Sequence, residues 1–166
     1  MTYCIIVRGP LGVGETTIAK RIAERTGRKY VSVDEILRRN NLDNVKDGNI
    51  PLRNFIRANE IIAKKYPGKS LVIDGNFYYK SQISDLKRKL GKVRVFTLKA
   101  SLNVCIDRDR KRKLSYGKKS ASAVYKLVFK FDHGAVINTE NKAPEKVAEE
   151  IITLLKKQNY WEKDKK

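Results

Sequence analysis

The chain has 166 residues, which suits one domain with a real hydrophobic core. Its residues are 41% hydrophobic and 33% charged, and no apolar run approaches the roughly eighteen residues of a membrane helix, which excludes a spanning segment of that kind. With 37 Lys and Arg against 18 Asp and Glu, the net charge is +19, a field that gathers nucleic acid, anionic nucleotides or phosphorylated metabolites.

Apolar strand-like runs alternate with helical patterns, the mark of a mostly parallel sheet covered on both faces. The first strand is expected at Tyr3 to Val7, and nothing in Met1 to Val7 resembles a signal peptide. A helix follows over Thr16 to Arg25, with Ile18, Ala19, Ile22 and Ala23 on one face and Gly27 as its C-terminal cap. Strand two is expected at Lys29 to Val33, ending at Asp34, with a short helix to Arg39. A polar loop fills Asn40 to Pro51, and Phe55, Ile56, Ile62 and Ala63 mark a helix ending before Pro67-Gly68. Strand three is Ser70 to Ile73, then comes a helix carrying Ile83, Leu86 and Leu90, then strand four at Val93 to Leu98. Ser101 is placed to cap a helix carrying Val104, Cys105 and Ile106. A basic segment, a helix over Ala121 to Phe131, a fifth strand at Ala135 to Ile137 and a last helix from Pro144 complete the pattern. The expected fold is α/β, a five-stranded parallel sheet with helices on both faces. One domain spans residues 1–158, with a lid near residues 107–120 and a basic tail at residues 159–166, where Tyr160 and Trp161 can dock.

Strand one runs into Gly9-Pro10-Leu11-Gly12-Val13-Gly14-Glu15-Thr16-Thr17. A phosphate-binding loop has Gly, four residues, Gly, Lys, then Ser or Thr, and every element is present except the lysine, which is Glu15. Glycines let successive N–H groups curl toward phosphate oxygens, the next helix adds its positive end, and the Thr16 hydroxyl can ligate Mg²⁺. The missing ammonium matters. A unit pair about 4 Å apart is worth roughly 4 kcal/mol at an effective dielectric near 20, so exchanging attraction for repulsion can cost roughly twice that. Lys20, a helical turn further on, is expected to point elsewhere.

Strand ends of an open α/β sheet gather ligands, which brings Asp34 and Asp74 toward this loop. Asp34 can take a hydroxyl proton or orient an acceptor, and it can equally cap the helix beginning near Glu35. Asp74 can hold Mg²⁺ through water, or simply turn the chain before Gly75. Arg108 and Arg112, spaced i and i+4, form either a phosphate clamp or a solvated basic face. Arg8 is a further candidate for phosphate or acceptor.

On these residues the chain resembles the P-loop kinase group that contains polynucleotide 5′-hydroxyl kinases, chloramphenicol phosphotransferase, adenylylsulfate kinase and shikimate kinase. The resemblance rests on the loop, on Asp34, on Val72-Ile73-Asp74-Gly75-Asn76 and on Arg108-Asp109-Arg110-Lys111-Arg112. It implies ATP and Mg²⁺ as cofactors, Thr16 and Asp74 at the metal, and Asp34, Glu15, Arg108 and Arg112 at the chemistry. It also implies that Asn138-Thr139-Glu140-Asn141 holds adenine. The charge favours RNA, DNA or a nucleotide as acceptor, with Tyr78, Tyr79 and Tyr116 available to stack on bases. A small-molecule kinase and a non-catalytic nucleotide- or RNA-binding protein are the alternatives. Cys4 and Cys105 read as buried thiols, which with the absence of zinc spacing around His133 suits a cytoplasmic location.

Overall fold

A computed structural model describes residues 3–157. Five parallel strands, β1 (Cys4–Arg8), β2 (Lys29–Ser32), β3 (Leu71–Gly75), β4 (Val93–Lys99) and β5 (Ala135–Asn138), lie in the order β2-β3-β1-β4-β5. Seven helices connect and cover them: α1 (Glu15–Thr26), α2 (Val33–Arg39), α3 (Leu52–Lys65), α4 (Lys80–Leu90), α5 (Leu102–Arg110), α6 (Lys118–Val128) and α7 (Pro144–Lys156). The sheet expected from the sequence is present; Tyr160, Trp161 and the basic tail lie outside the described residues.

The period of two in the central strand builds both faces at once. Ile5 and Val7 join Ile18, Ile22, Phe96, Leu98, Val147 and Ile151 in a core under α1 and α7. Cys4 and Ile6 point the other way, into a core with Leu37, Phe55, Ile62, Leu71, Ile73, Ile83 and Leu86 under α2, α3 and α4. Each such aliphatic side chain contributes about 1.5–3 kcal/mol when fully buried. Both cysteines are free and buried, as expected.

The bounds of two helices, α2 and α6, differ from the sequence reading in ways that bear on the site. α2 begins at Val33 because the Ser32 hydroxyl accepts the Glu35 N–H at 3.3 Å, so β2 stops at Ser32 and Asp34 sits in the first helical turn. α6 begins three residues earlier than Ala121, behind Gly117 at φ 85°, and ends at Val128, whose carbonyl is claimed by a side chain. That side chain is Arg8. It is wholly buried, its guanidinium donating to Thr97 Oγ1 at 3.1 Å and to the Val128 carbonyl at 2.6 Å and lying over the Phe131 ring. Arg8 therefore ties α6 to the sheet and is spent in the core, away from any phosphate or acceptor.

Candidate active site

The loop leaves the central strand with residues 9–13 all buried and closes at the head of α1. Its curl requires glycine at two points. Gly14 has φ 97°, and Gly12 has φ 81° with the position a Cβ would take only 2.1 Å from the Cys105 carbonyl oxygen. Leu11 packs on Ile106 and Ala121, and the Asn76 amide donates to the Gly9 carbonyl at 2.8 Å, so α5, α6 and the end of β3 brace the loop. The first intrahelical bond runs from Ile18 N–H to the Gly14 carbonyl. The N–H groups of Glu15, Thr16 and Thr17 precede it and have no helical acceptor, as at any helix start.

Thr16 and Asp74 meet. The Thr16 hydroxyl donates to Asp74 Oδ2 at 2.6 Å, and the Tyr30 hydroxyl donates to Oδ1 at 3.0 Å. Burial drives the Asp74 carboxyl above its ordinary value, while the hydrogen bonds from Thr16 and Tyr30 and the Lys20 charge pull the other way. Lys20 does reach this neighbourhood, standing 5.4 Å over the Tyr30 ring. A hydroxyl and a carboxylate oxygen side by side make a hard, oxygen-only pair of the kind Mg²⁺ accepts.

Glu15 is the first residue of α1, 5% exposed, with Oε2 buried and unpartnered. Burial pushes its pKa up to about 8, opposed by its own N–H and aided by Asp74 and Asp34, with Arg112 the opposing cation. Asp34 is solvent-exposed although protein surrounds it closely, and desolvation with Asp74 raises its pKa to about 6 against Arg112. Since Ser32 caps α2, the Asp34 carboxylate is not needed there. Three carboxylates on α1, α2 and β3 thus lie within electrostatic reach of one another.

The two arginines take separate tasks. Arg108, inside α5, donates to the Val13 carbonyl at 3.3 Å and to Thr139 Oγ1 and its carbonyl at 3.1 and 3.2 Å. Arg112 lies past the end of α5, its guanidinium 3.9 Å from Asp109 Oδ1 and its charge acting on Glu15 and Asp34, so the two do not share one helical face. A pocket of about 190 Å³ opens beside the loop, lined by Val13, Gly14, Thr17, Arg108, Thr139 and Pro144 among others. Thr139 is buried there, whereas Asn138 is exposed and its side chain accepts the Glu140 N–H, bracing the turn. A wider hollow of about 660 Å³ on α4, around Ser84 and Arg88, is open to solvent and includes no residue of the loop.

Sequence reasoning missed Tyr30 and Asp109. Asp109 is 1% exposed and accepts from the Ser115 hydroxyl and the Tyr116 and Gly117 N–H groups, fixing the connection from α5 to α6. The turn-like Ser115-Tyr116-Gly117 was the signal that could have found it. Tyr78 and Tyr79 pack edge-on against Phe55, half-buried, while Tyr116 is 58% exposed. Of the three, only Tyr116 stands free of the core.

A protein of Thermococcus onnurineus named "Putative adenylate kinase" is 30% identical over 162 residues, spanning 92% of this chain and 83% of its own length. Its namesake in Pyrococcus furiosus is 28% identical over 162 residues, spanning 91% and 83%. Among solved structures, a gluconokinase of Sinorhizobium meliloti shares the fold with a TM-score of 0.72 at 14% identity, across 95% of both chains. Residues 4–130 match the family described as AAA domain, from β1 through the end of α6, and the chain belongs to that family.

Proposed function

We propose that this chain is an ATP-dependent phosphotransferase of the P-loop kinase type, passing a γ-phosphoryl group to a hydroxyl on a small molecule or nucleotide, with turnover held down by Glu15. The observation that carries this reading is the Thr16–Asp74 hydrogen bond at 2.6 Å, at the head of a helix that follows a glycine-curled loop. Arg108, Thr17 and Thr139 line the pocket beside that loop and suit the nucleoside end of ATP. The relatives named as adenylate kinases favour a nucleotide donor.

In this reading Thr16 and Asp74 hold Mg²⁺, which would spread charge away from the phosphate oxygens. The N–H groups of Gly14 to Thr16 and the positive end of α1 bind phosphate oxygens. Asp34 orients the acceptor hydroxyl and receives its proton as the acceptor oxygen attacks the γ-phosphorus. The bond from that phosphorus to the bridging oxygen breaks, and ADP leaves with the bridging oxygen. Arg112 faces the cleft where the charge moves. Glu15 acts against the reaction by leaning on its own N–H, one of the groups a phosphate would use. The lid is the connection around Arg112 to Tyr116, within residues 107–120.

A polynucleotide partner is a second reading, favoured by the exposed Lys111 and Lys113 on that connection and Lys118 and Lys119 in the first turn of α6. The test of the main reading is calorimetry with Mg-ATP on the unchanged chain, Glu15→Lys and Glu15→Lys/Asp34→Asn. Glu15→Lys should tighten ATP and raise ADP production by about a hundredfold or more, what a preorganised contact to the transferring phosphoryl group supplies. Adding Asp34→Asn should keep ATP binding and lose ADP production with any acceptor. Failure of Glu15→Lys to bind Mg-ATP would overturn the nucleotide reading.

A further inference from the structure

The carboxylate of Asp74 is held at both ends. In the parallel pair of β2 and β3, Tyr30 lies beside Val72 and Ser32 beside Asp74. Side chains two apart on a strand share a face. Val72 belongs to the core under α1, and Tyr30 packs against that same core, so Tyr30 and Asp74 both stand on the α1 side of the sheet. Asp74 is two residues further along β3 than Val72, roughly 6.6 Å at the rise of a parallel strand. A tyrosine side chain covers that distance and carries a donor at its tip, whereas serine and threonine fall short and phenylalanine has no hydroxyl. The Tyr30 hydroxyl donates to Asp74 Oδ1 at 3.0 Å, and the Thr16 hydroxyl donates to Oδ2 at 2.6 Å.

The two bonds do different work. The last torsion of an aspartate side chain is broad, so one hydrogen bond leaves the carboxylate plane free to turn. A second donor on the opposite oxygen stops that turning. Tyr30 is itself held, because its ring packs on the core and the Lys20 ammonium stands 5.4 Å from the ring centroid. Lys20 follows Thr16 by four residues, so one face of α1 carries both the hydroxyl that meets Oδ2 and the cation that covers the ring. Each carboxylate oxygen has room for two partners, and both therefore keep a lone pair for a metal ion or its water.

We infer that Tyr30 is a positioning residue of the metal site: its hydroxyl fixes the plane of the Asp74 carboxylate so that Asp74 and Thr16 present their oxygens to one divalent cation. The inference rests on the phosphotransferase reading for the placing of Mg²⁺ at Thr16 and Asp74. It adds a residue from β2, an edge strand of the sheet, that touches neither phosphate nor acceptor and acts through Asp74. Mg²⁺ demands near-ideal octahedral geometry, while the larger Ca²⁺ tolerates irregular shells, so a carboxylate locked in one plane favours the smaller ion. Without the Tyr30 hydroxyl, Asp74 keeps its bond to Thr16 but samples orientations that suit the larger ion. The role is therefore read in metal affinity and metal choice.

The experiment titrates Mn²⁺, as a probe for Mg²⁺, into the chain and reads bound metal by water-proton relaxation. Competition with Mg²⁺ and with Ca²⁺ then gives the affinity for each. No nucleotide is present, so the result stands apart from the Mg-ATP calorimetry. Tyr30→Phe keeps the ring and loses the hydroxyl. It should weaken Mn²⁺ and Mg²⁺ by about ten- to a hundredfold, the usual effect of losing a partner behind a metal ligand. Ca²⁺ should lose less, so that the preference for Mg²⁺ over Ca²⁺ falls by about threefold or more. Asp74→Asn should abolish binding. Loss in Asp74→Asn without change in Tyr30→Phe would overturn the inference and leave the metal at Thr16 and Asp74. Equal weakening for all three ions would overturn it too, since a merely structural loss does not alter metal choice. Binding that Asp74→Asn leaves untouched, or no binding by the unchanged chain, removes the inference, and the phosphotransferase reading then stands or falls on Glu15→Lys. Should Tyr30→Phe fail to fold, as read by circular dichroism, 3-fluorotyrosine placed at position 30 decides. Its fluorine resonance should shift on addition of Mg²⁺, and a resonance that ignores Mg²⁺ overturns the inference.

Discussion

Arg8 and Glu15 are both charged residues buried within one short stretch, and they are buried for opposite reasons. Arg8 is matched at both terminal nitrogens: Thr97, the Val128 carbonyl and the Phe131 face surround it, its Nε alone lacks a partner, and desolvation, offset by Asp132, lowers its pKa to about 10. Replacing it by Met keeps the volume but strands the Val128 carbonyl, so Arg8→Met should destabilise the fold by roughly 3 kcal/mol, read by urea unfolding at pH 7. ATP affinity should fall much less than stability, since no phosphate contact is lost. Glu15 is unmatched, which is the signature of a site rather than of a core. Neither state was legible in the sequence. The partners of Arg8 lie 89 and 120 residues away, and nothing local distinguishes an arginine that will be enclosed from one that will face a ligand. The loop itself was legible in full, because its glycines answer to backbone geometry that the residue spacing already records.

At the level of elements, the strands were readable because parallel strands buried on both faces leave unbroken apolar runs, as in Cys4–Val7 and Leu71–Ile73. The helix ends were less so. Asp34 looked like a strand end, but the Ser32 cap pulls it into α2. Arg112 looked helical, but α5 stops at Arg110 and Arg112 pairs back with Asp109 at 3.9 Å. One carboxylate organises the connection from α5 to α6. Burial works against charge on Asp109, yet the Ser115 hydroxyl and the Tyr116 and Gly117 N–H groups overcome it and hold its pKa below the ordinary 3.8. Asp109→Ala should therefore speed hydrogen exchange at the Tyr116 and Gly117 amides by about tenfold or more, while amides of β1 and β3 keep their protection. Because the folded pKa lies below the unfolded one, this support is complete above about pH 4 and is lost as pH falls further. The Tyr116 and Gly117 amides of the unchanged chain should then come to resemble those of the alanine variant.

Across the whole molecule the charge is lopsided: the chain is +19, while Glu15, Asp34 and Asp74 lie within electrostatic reach of one another. A polyanion should bind the outside, and its grip should depend on released counterions. Filter binding of single-stranded RNA should weaken by at least tenfold between about 50 and 200 mM salt. Glu15→Lys should leave that dependence unchanged, because it alters the cleft and not the rim. Salt-independent binding would show that the surface charge is idle.

The strand order has a consequence for how this protein comes into being. β1 is made first but sits in the middle of the sheet, paired with β3 through Ile5 and Val72 and with β4 through Ile5 and Arg94. On a ribosome adding about 5–20 residues per second, the five buried residues of β1 therefore wait roughly 4–18 s for their second neighbour to be synthesised. Until then an apolar segment with at least one open edge trails from the growing chain, the kind of segment that seeks another chain's edge. Joining residues 1 and 166 through a linker and opening the chain in the polar loop between α2 and α3 would place β3 ahead of β1 in time. The nascent protein would then meet its partner strands in a different order while arriving at the same sheet.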